Sequence, residues 1–276
     1  MGEQLYHYTN AAGVFGMLKD YDKTEQPYLT MWATNASFMN DSSEFIFGKK
    51  ICKEAYSAYE AKQRIPDADC FMNGFDFENI IKQEKINSTP CIASFSTTTN
   101  NAAMWEMYSN GGTGIAIQFD KNLLKDIDRA SQLTPCIYCE TYFDLLDNKS
   151  FIENTYKQAA EIKIANSNND ITISKVSKAI TLNINVTPRI KHSAYRYENE
   201  YRLIRHGVDK PLFRVCKDVI VPYKEIMIPI NAVTGFIIGP TANYEYILSS
   251  LELFLASKGL SHLDKYITKS EVPYRG

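Results

Sequence analysis

The chain has 276 residues, and its 30 Lys and Arg side chains nearly balance its 32 Asp and Glu side chains, giving a formal net charge of -2. This balance gives no signal for binding to nucleic acid or an anionic membrane, although Arg189, Lys191 and Arg196 form a local basic cluster. No apolar run approaches the roughly 20 residues that span a bilayer, and no signal peptide is visible at the N-terminus. We therefore expect a globular cytoplasmic protein without a membrane partner.

The six cysteines are scattered, with one Cys-x-x-Cys pair at Cys136 and Cys139. A structural zinc site needs two more ligands, and the sequence offers neither a second pair nor a nearby histidine. The surrounding residues predict a strand, in which positions i and i+3 face opposite sides. We interpret the cysteines as reduced thiols of a cytoplasmic protein.

The first half of the chain predicts short aromatic strands interleaved with helices. Strands are predicted over residues 5–8, 27–33, 91–96 and 114–119. Helices are predicted over residues 11–19, 45–59, 74–85, 101–109 and 120–129, the first of them capped by Thr9-Asn10.

The second half predicts a strand over residues 135–142, followed by two polar helical segments with thin apolar faces, broken around residues 166–170. Further strands are predicted over residues 212–216, 219–222, 225–229, 235–239 and 265–268, and a helix over residues 243–258 that ends at Gly259. The regular strand–helix period of a parallel sheet is missing. We expect an α+β fold in one compact domain, residues 1–276, with a helical insertion over residues 148–188.

Common nucleotide and hydrolase motifs are missing from the sequence. It contains no G-x-G-x-x-G after a strand, no G-x-x-x-x-G-K-[ST], no H-E-x-x-H and no G-x-S-x-G. The four histidines lie in separate predicted elements, and their spacing indicates no metal site. Asp41 and Glu44 have the spacing of a capping box, and helix capping is the interpretation we favour for both.

Two glutamates, Glu198 and Glu200, stand one residue apart just before a run predicted to be a buried strand. In an extended backbone, residues i and i+2 point to the same side, so both carboxylates and Arg202 are expected on one face. They are the first candidates for a functional site. A polar strand face with charges paired across strands is the structural alternative.

Other candidates are polar or aromatic side chains within the predicted elements. His7 lies between two tyrosines on the first strand, where a packed histidine with one hydrogen bond is the structural alternative. Ser94 and Ser96 alternate along a strand, so their hydroxyls face one side. Trp105 and Tyr108 share a helix face, where core packing is the alternative.

A series of short motifs runs in order along essentially the whole chain. They are LYHYT at residues 5–9, WAT at 32–34, NDSSEF at 40–45, FS at 95–96, W-x-x-Y at 105–108, E-x-EYRLI at 198–204, IGP at 238–240 and SEVPYR at 270–275. In order and spacing this series resembles a large bacterial family of uncharacterised domains. That resemblance implies no established reaction.

Three of these features also occur in the order His7, then Ser94-Phe95-Ser96-Thr97-Thr98, then Glu198-x-Glu200 at the start of a strand. This order is similar to that of ADP-ribosyltransferases, although the serine motif here is Phe-Ser-Thr-Thr and not Ser-Thr-Ser. The more distant resemblance implies split antiparallel or mixed sheets and NAD as a substrate. It also implies that Glu198 helps to activate the incoming nucleophile.

The chemistry of NAD cleavage gives each candidate residue an expected role. Nicotinamide is already cationic in NAD, so no general acid is needed, and the transition state resembles an oxocarbenium ion. Glu200 is expected to stabilise that charge, with Arg202 keeping it ionised. His7 is expected to fix the cofactor and Ser96 to orient Glu200. Three aromatic residues are candidates for stacking on the nicotinamide ring: Tyr8, Trp105 and Tyr108.

Three functions therefore remain open. The first is an NAD-consuming enzyme that transfers ADP-ribose to an unidentified macromolecule or hydrolyses NAD, and such chemistry suggests phage defence or a toxin. The second is a non-catalytic module that binds a nucleotide or a partner protein. The third is a carboxylate–metal hydrolase or nuclease built from Asp41, Glu44, Glu198 and Glu200, against which the near-neutral charge counts.

Overall fold

A computed structural model of the chain describes residues 3–21, 27–39, 42–72, 89–125, 127–162, 171–207, 209–216 and 218–273. Four features of the sequence analysis lie outside these residues: the helix predicted over residues 74–85, the motif residues Asn40 and Asp41, the break around residues 166–170, and the motif end Tyr274-Arg275.

The strands and helices follow the predicted order over most of the chain. The strands are β1 (Gln4–Thr9), β2 (Tyr28–Asn35), β3 (Cys91–Ser96), β4 (Ile115–Asp120), β5 (Ser131–Pro135), β6 (Ile137–Cys139), β7 (Ile190–His192), β8 (Glu200–Arg205), β9 (Leu212–Cys216), β10 (Val219–Pro229), β11 (Val233–Ile238) and β12 (Ile267–Lys269). The helices are α1 (Ala11–Leu18), α2 (Ser42–Gln63), α3 (Ala102–Tyr108), α4 (Lys121–Lys125), α5 (Tyr142–Asp147), α6 (Lys149–Ala160), α7 (Ile171–Val186) and α8 (Tyr244–Ser257). Asn10 caps α1, and Gly259 follows α8 with a positive φ of 69°, as predicted. No helix within the described ranges has the length and apolar character to cross a bilayer.

Ten of the described strands form one mixed sheet, and β6 pairs with β7 in a separate small parallel sheet. The main path runs β12-β11-β4-β1-β3-β2-β10-β9, while β8 pairs with β3 and β5 beside this path. β11 and β12 are parallel, and the other described pairings of the main sheet are antiparallel. The structure confirms an α+β fold with a mixed sheet.

The main sheet opens where β1 and β2 diverge along one edge of β3. At the C-terminal end of β3, Ser96 faces Tyr6 of β1, whereas near its N-terminal end Ile92 faces Thr34 of β2. On its other edge, β3 pairs with β8 along its whole length. Since neither β1 nor β2 pairs with the middle of β3, the backbone there is accessible to side chains.

Two clusters of buried hydrophobic side chains hold the described elements together. The larger cluster packs the main sheet against α1 and α8 and includes Leu5, Phe119 and Leu255. The second cluster packs α2 against α5, α6 and α7 and includes Tyr56 and Leu182. The segment predicted as a helical insertion, residues 148–188, thus contains α6 and α7. Its apolar faces are broader than predicted, because both helices share a core with α2.

The strand predicted over residues 135–142 is wrong. β5 ends at Pro135, β6 covers only three residues, and α5 begins at Tyr142. The cause is a capping box, in which the Asp144 carboxylate accepts the backbone N–H of Thr141 at 2.9 Å. Two further boundaries differ, since α4 ends at Lys125 and β10 is one strand where two were predicted.

Candidate functional site

A cavity of about 870 Å³ lies where β1 and β2 diverge. Its walls come from β1, β2, β3, β9 and α3, and α2, β7 and β8 contribute charged side chains. Small-molecule sites typically enclose about 300–1,000 Å³, so this cavity has room for a nucleotide-sized ligand. Eight of the candidates predicted from sequence line it: His7, Tyr8, Ser94, Ser96, Tyr108, Glu198, Glu200 and Arg202.

Glu198 and Glu200 converge on the cavity, but not through an extended backbone. Glu198 ends a 3-10 helix that begins at Ser193, and Glu200 is the first residue of β8. Between them Asn199 adopts the left-handed conformation, with a φ of 45°. Asparagine tolerates this conformation better than most residues do, so it allows the chain to turn a corner between helix and strand. The predicted convergence is therefore correct, although its geometric reason is different.

Glu198 and Glu200 belong to a buried charge network, whose other members are Glu44, Lys191 and Arg202. The Lys191 ammonium bonds to Glu198, lies 2.7 Å from Oε2 of Glu200 and 3.5 Å from Glu44. Arg202 donates to both oxygens of Glu200, at 2.9 and 3.0 Å, and to Glu44. Glu200 and Arg202 share one face of β8, as strand alternation predicts. The network joins four separate segments of the chain on one wall of the cavity.

The network holds Glu200 in its ionised form. Burial disfavours the charge of this carboxylate, but the positive charges of Arg202 and Lys191 outweigh burial and lower its pKa to about 2. Burial also disfavours the charged Lys191, yet Glu200, Glu44 and Glu198 outweigh it and raise the pKa of the lysine. Three ionised carboxylates against two cations would leave the network with one formal negative charge beside the cavity.

Glu198 differs from Glu200 in both ionisation and hydrogen bonding. Burial raises the pKa of Glu198 and outweighs the opposing charge of Lys191. A carboxylate has about four lone-pair sites, of which Glu200 uses three within the described residues and Glu198 uses two. One of the donors to Glu198 is the Tyr108 hydroxyl, at 2.9 Å from Oε1. Glu198 is thus the more available acceptor.

Glu44 belongs to the network, a role that the capping interpretation did not predict, and Asp41, its partner in the expected capping box, lies outside the described residues. The Glu44 carboxylate bonds to Arg202, which is 158 positions away in sequence, and this contact explains the residue better than a local turn. The three carboxylates of Glu44, Glu198 and Glu200 are bonded to the cations of Lys191 and Arg202. Over the described ranges, no group of three or more His, Cys, Asp or Glu side chains has a geometry that could hold a metal ion.

His7 faces the cavity as a neutral imidazole. Its Nδ1 lies 2.9 Å from the carbonyl oxygen of Ser94, in the middle of β3 where the sheet opens. A carbonyl only accepts, so Nδ1 carries the proton and Nε2 is left as an acceptor. Burial lowers the pKa of His7, opposed by this hydrogen bond. The structural and functional interpretations of His7 are therefore compatible.

Ser96 was expected to orient the Glu200 carboxylate, but it does not. It positions the backbone between Glu198 and Glu200 instead. Its hydroxyl donates to the carbonyl oxygen of Glu198 at 2.7 Å and accepts from the N–H of Thr98 at 3.2 Å. Ser96 faces Glu200 in the β3–β8 register, but that register concerns the backbone only. The buried hydroxyl therefore fixes the segment from which Glu198 projects.

The three aromatic candidates divide between core and cavity wall. Trp105 is 0% exposed and does not line the cavity, and its Nε1 donates to the carbonyl of Thr99 at 2.9 Å. The prediction that it stacks on a ligand is wrong for this reason, and its alternative as core is correct. Tyr8 packs edge-to-face on Trp105 at 4.9 Å, donates to the Thr98 carbonyl and lines the cavity. Tyr108 reaches the cavity through its bond to Glu198.

Sequence reasoning missed two contacts that complete this wall. Lys191 appeared only as part of a basic cluster, yet it is 4% exposed and bridges three carboxylates. The hydroxyl of Tyr138 accepts the backbone N–H of Glu200 at 2.8 Å. Neither residue has a spacing signal, because both contacts depend on how β6, β7 and β8 assemble. Cys136 and Cys139, which flank Tyr138, are free buried thiols.

Part of the site lies in the segment of the chain that matches a known family model, whereas the cavity walls from β1, β2, β3 and β9 lie outside that segment. Residues 104–203 match a model described as a protein of unknown function, DUF2971. Neither the curated proteins nor the solved structures that were compared match the chain. The matched residues extend from α3 into β8 and include every member of the buried charge network except Glu44. Over these residues, which are fewer than the motif series covers, the chain is similar to the DUF2971 family.

Proposed function

We propose that this protein is an NAD-consuming enzyme of the ADP-ribosyltransferase type, which transfers ADP-ribose to a macromolecule or hydrolyses NAD. The observation that carries the proposal is the convergence of Glu198 and Glu200 on a cavity of about 870 Å³ at the opening of the sheet. Two carboxylates in different ionisation environments suit glycosyl transfer, in which one stabilises positive charge and the other accepts a proton.

The reaction breaks the bond between the nicotinamide nitrogen and C1′ of the ribose. The bonding electron pair leaves with nicotinamide, which departs as a neutral molecule, and C1′ becomes oxocarbenium-like. Water or an acceptor group then attacks C1′ and loses a proton. A negatively charged wall stabilises the positive charge that develops on the ribose.

In this scheme Glu200 supplies the fixed negative charge, because its pKa of about 2 keeps it ionised. Glu198 accepts the proton of the nucleophile, since its pKa is raised and two of its lone-pair sites are not used by described residues. Tyr108 and Lys191 hold Glu198 in position. The same division is expected from the sequence, with Glu200 stabilising the charge and Glu198 activating the nucleophile.

The cavity also contains groups suited to hold the substrate. Nε2 of His7 is an acceptor for a ribose hydroxyl, and the rings of Tyr8 and Tyr108 are available at the wall for contact with a planar base. The divergence of β1 and β2 is the feature we relate to the split sheets of ADP-ribosyltransferases. We propose a cytoplasmic role in phage defence or as a toxin, with an acceptor still to be identified.

The test is to incubate the purified protein with NAD and measure released nicotinamide. We expect release from the wild type and a loss of at least about 100-fold in Glu200→Gln and Glu198→Gln, because each removes a carboxylate that acts in the transition state. Glu271→Gln is the matched control, since Glu271 is exposed and has no described side-chain partner. Circular dichroism and urea unfolding must show that each variant is folded. Unchanged NAD turnover in a folded Glu200→Gln variant would disprove the proposed role of Glu200.

A non-catalytic module that binds a nucleotide is the second candidate. It is favoured by one observation, namely that three of the lone-pair sites of Glu200 already accept hydrogen bonds from Arg202 and Lys191. This candidate predicts that NAD binds without release of nicotinamide and that Glu200→Gln changes affinity only. Release of more than one mole of nicotinamide per mole of wild-type protein would eliminate the binding-module candidate.

A further inference from the structure

An arginine from the edge strand reaches the cavity from the side of β2. Arg214 lies on β9 opposite Val221 of β10, and its side chain extends past β10 to β2. There Nη2 donates to the Thr34 hydroxyl at 2.8 Å, and the guanidinium lies 5.5 Å from the centre of the Trp32 ring. Arg214 lines the cavity together with Thr34 and Trp32.

The guanidinium of Arg214 has donors that no described residue uses. Arginine has five N–H donors, and the bond to Thr34 is the one described hydrogen bond that Arg214 donates. Its Nε is buried and has no hydrogen-bond partner among the described residues. None of the ion pairs in the described part of the chain includes Arg214. The buried Nε is out of reach of a ligand, so the donors that Arg214 can offer on the cavity wall are the N–H groups of Nη1 and the second N–H of Nη2, which have no described partner.

An unpartnered Nε is not by itself unusual in this protein, since Arg189 and Arg205 have one as well. Those two arginines do not line the cavity. Arg205 forms an ion pair with Asp128 at 2.9 Å, and Arg189, like Arg214, lies over an aromatic ring, that of Phe151 at 4.5 Å. Arg214 is distinguished by its position on the cavity wall, where its Nη groups have N–H donors without a described partner.

The neighbours of Arg214 orient it without neutralising it. Its guanidinium lies over two rings, those of Trp32 and Tyr223, at 5.5 and 5.9 Å. Lys19 is the other described cation near Trp32, and it has Asp20 as a partner at 3.9 Å. Aromatic contacts hold a guanidinium in place while leaving its in-plane donors available. A planar fork of donors is the arrangement that recognises phosphate.

We infer that Arg214, held by Thr34, Trp32 and Tyr223, is a subsite for the phosphate group of a nucleotide bound in the cavity. In the sheet, Thr34 and Glu200 are two strands apart and four residues out of register, which separates their backbone positions by roughly 17 Å. The side chains of Arg214 and Glu200 both extend into the cavity between these positions, so a ligand that carries a phosphate and a ribose can contact both, whereas a free phosphate cannot. The subsite thus specifies how the substrate lies, with phosphate at Arg214 and a reactive ribose at the carboxylates.

This inference rests on the proposed function for the identity of the nucleotide, but binding tests it without turnover. Isothermal titration calorimetry would compare ADP-ribose, which has two phosphates, with nicotinamide riboside, which has none, and with inorganic pyrophosphate. Arg214→Gln removes the charge and the fork, Arg214→Lys keeps the charge, and Arg129→Gln is the control because Arg129 is exposed and outside the cavity.

We expect Arg214→Gln to weaken ADP-ribose binding by about 10- to 100-fold, the loss associated with hydrogen bonds to a charged group. Its affinity for nicotinamide riboside should change less than about twofold, and Arg214→Lys should fall between the wild type and Arg214→Gln for ADP-ribose. Equal weakening of both ligands, unchanged ADP-ribose binding, or no binding of ADP-ribose to the wild type overturns the subsite.

The two proposals fail separately. If ADP-ribose binds in an Arg214-dependent way but NAD releases no nicotinamide, the phosphate subsite stands and the proposed reaction falls. If NAD is cleaved and Arg214→Gln has the wild-type KM, the reaction stands and the subsite falls.

Discussion

On one wall of the cavity, Arg202 and Lys191 are each bonded to more than one carboxylate, whereas Arg214 near β2 donates one described hydrogen bond to a hydroxyl. The first arginine is 2% exposed, and the second is half-buried with an unused donor. The same side-chain type thus serves two purposes. Paired cations in the buried charge network fix the positions of Glu198 and Glu200, whereas we propose that the unpaired cation binds a ligand.

The largest effect on the free energy of unfolding is expected when Arg202 is removed from the buried charge network. Arg202→Met leaves the buried Glu200 without its bidentate partner and the partly buried Glu44 without its bond to Arg202, so we expect the free energy of unfolding to fall by about 3–5 kcal/mol. Urea unfolding measures this, with Arg129→Met as the control that should stay within about 0.5 kcal/mol of the wild type. A loss below about 1 kcal/mol would contradict the buried network and remove the contrast with Arg214.

Low pH should remove the stability that the ionised Glu200 contributes. The folded-state pKa of Glu200 is lowered from 4.5 to about 2, so its contribution to stability is fully present above about pH 4.5 and is lost as the pH falls through about 2. The shift corresponds to ~3 kcal/mol at most. Unfolding free energies measured between pH 6 and pH 2 should fall less steeply in Glu200→Gln than in the wild type. Parallel pH profiles would show that Glu200 is not held ionised.

A smaller loss of stability is expected when the hydrogen bond from Tyr108 to Glu198 is removed. Tyr108→Phe leaves Oε1 of Glu198 without its donor at 2.9 Å, and we expect a loss of about 1–2 kcal/mol in the free energy of unfolding. Tyr246→Phe is the control, because Tyr246 is 73% exposed. If both variants unfold at the same urea concentration as the wild type, Tyr108 does not restrain Glu198.

The smallest effect on stability is expected at Arg214. Arg214→Gln loses two ring contacts and one hydrogen bond on a half-buried side chain, so the free energy of unfolding should fall by less than about 1 kcal/mol. The same urea measurements used for Arg202 provide the comparison. A loss above about 2 kcal/mol would mean that Arg214 is structural, like Arg202, and the distinction between the two walls would disappear.

Local patterns in the sequence predicted the strands of the site well. β1, β2 and β3 follow from runs of aromatic and β-branched residues, and α1 follows from its cap at Asn10. Where a distant contact determines the role of a residue, the local pattern did not reveal it. Glu44 fits a capping pattern, yet its main partner is Arg202, far away in sequence. Trp105 has an aromatic character that suits ligand stacking equally well, and only the packing of α3 shows that it is buried.

The charged residues of the cavity were the least predictable. Lys191 is adjacent to its partners only because β7 lies beside the start of β8, and Arg214 reaches the cavity only because β9 folds onto β10. Neither position is encoded in a spacing. Glu198 and Glu200 were correctly expected to converge, but the expected extended backbone was wrong, since a 3-10 helix precedes the strand.

The left-handed Asn199 gives a criterion for interpreting a Glu-x-Glu pattern in other sequences. A β-branched residue between the two glutamates would favour a continuous strand, with carboxylates spaced by one pleat. Asparagine, glycine or aspartate there permits a positive φ, so that the two carboxylates belong to successive elements and point into one cavity from different directions. The middle residue therefore distinguishes a flat charged edge from a corner that encloses a pocket.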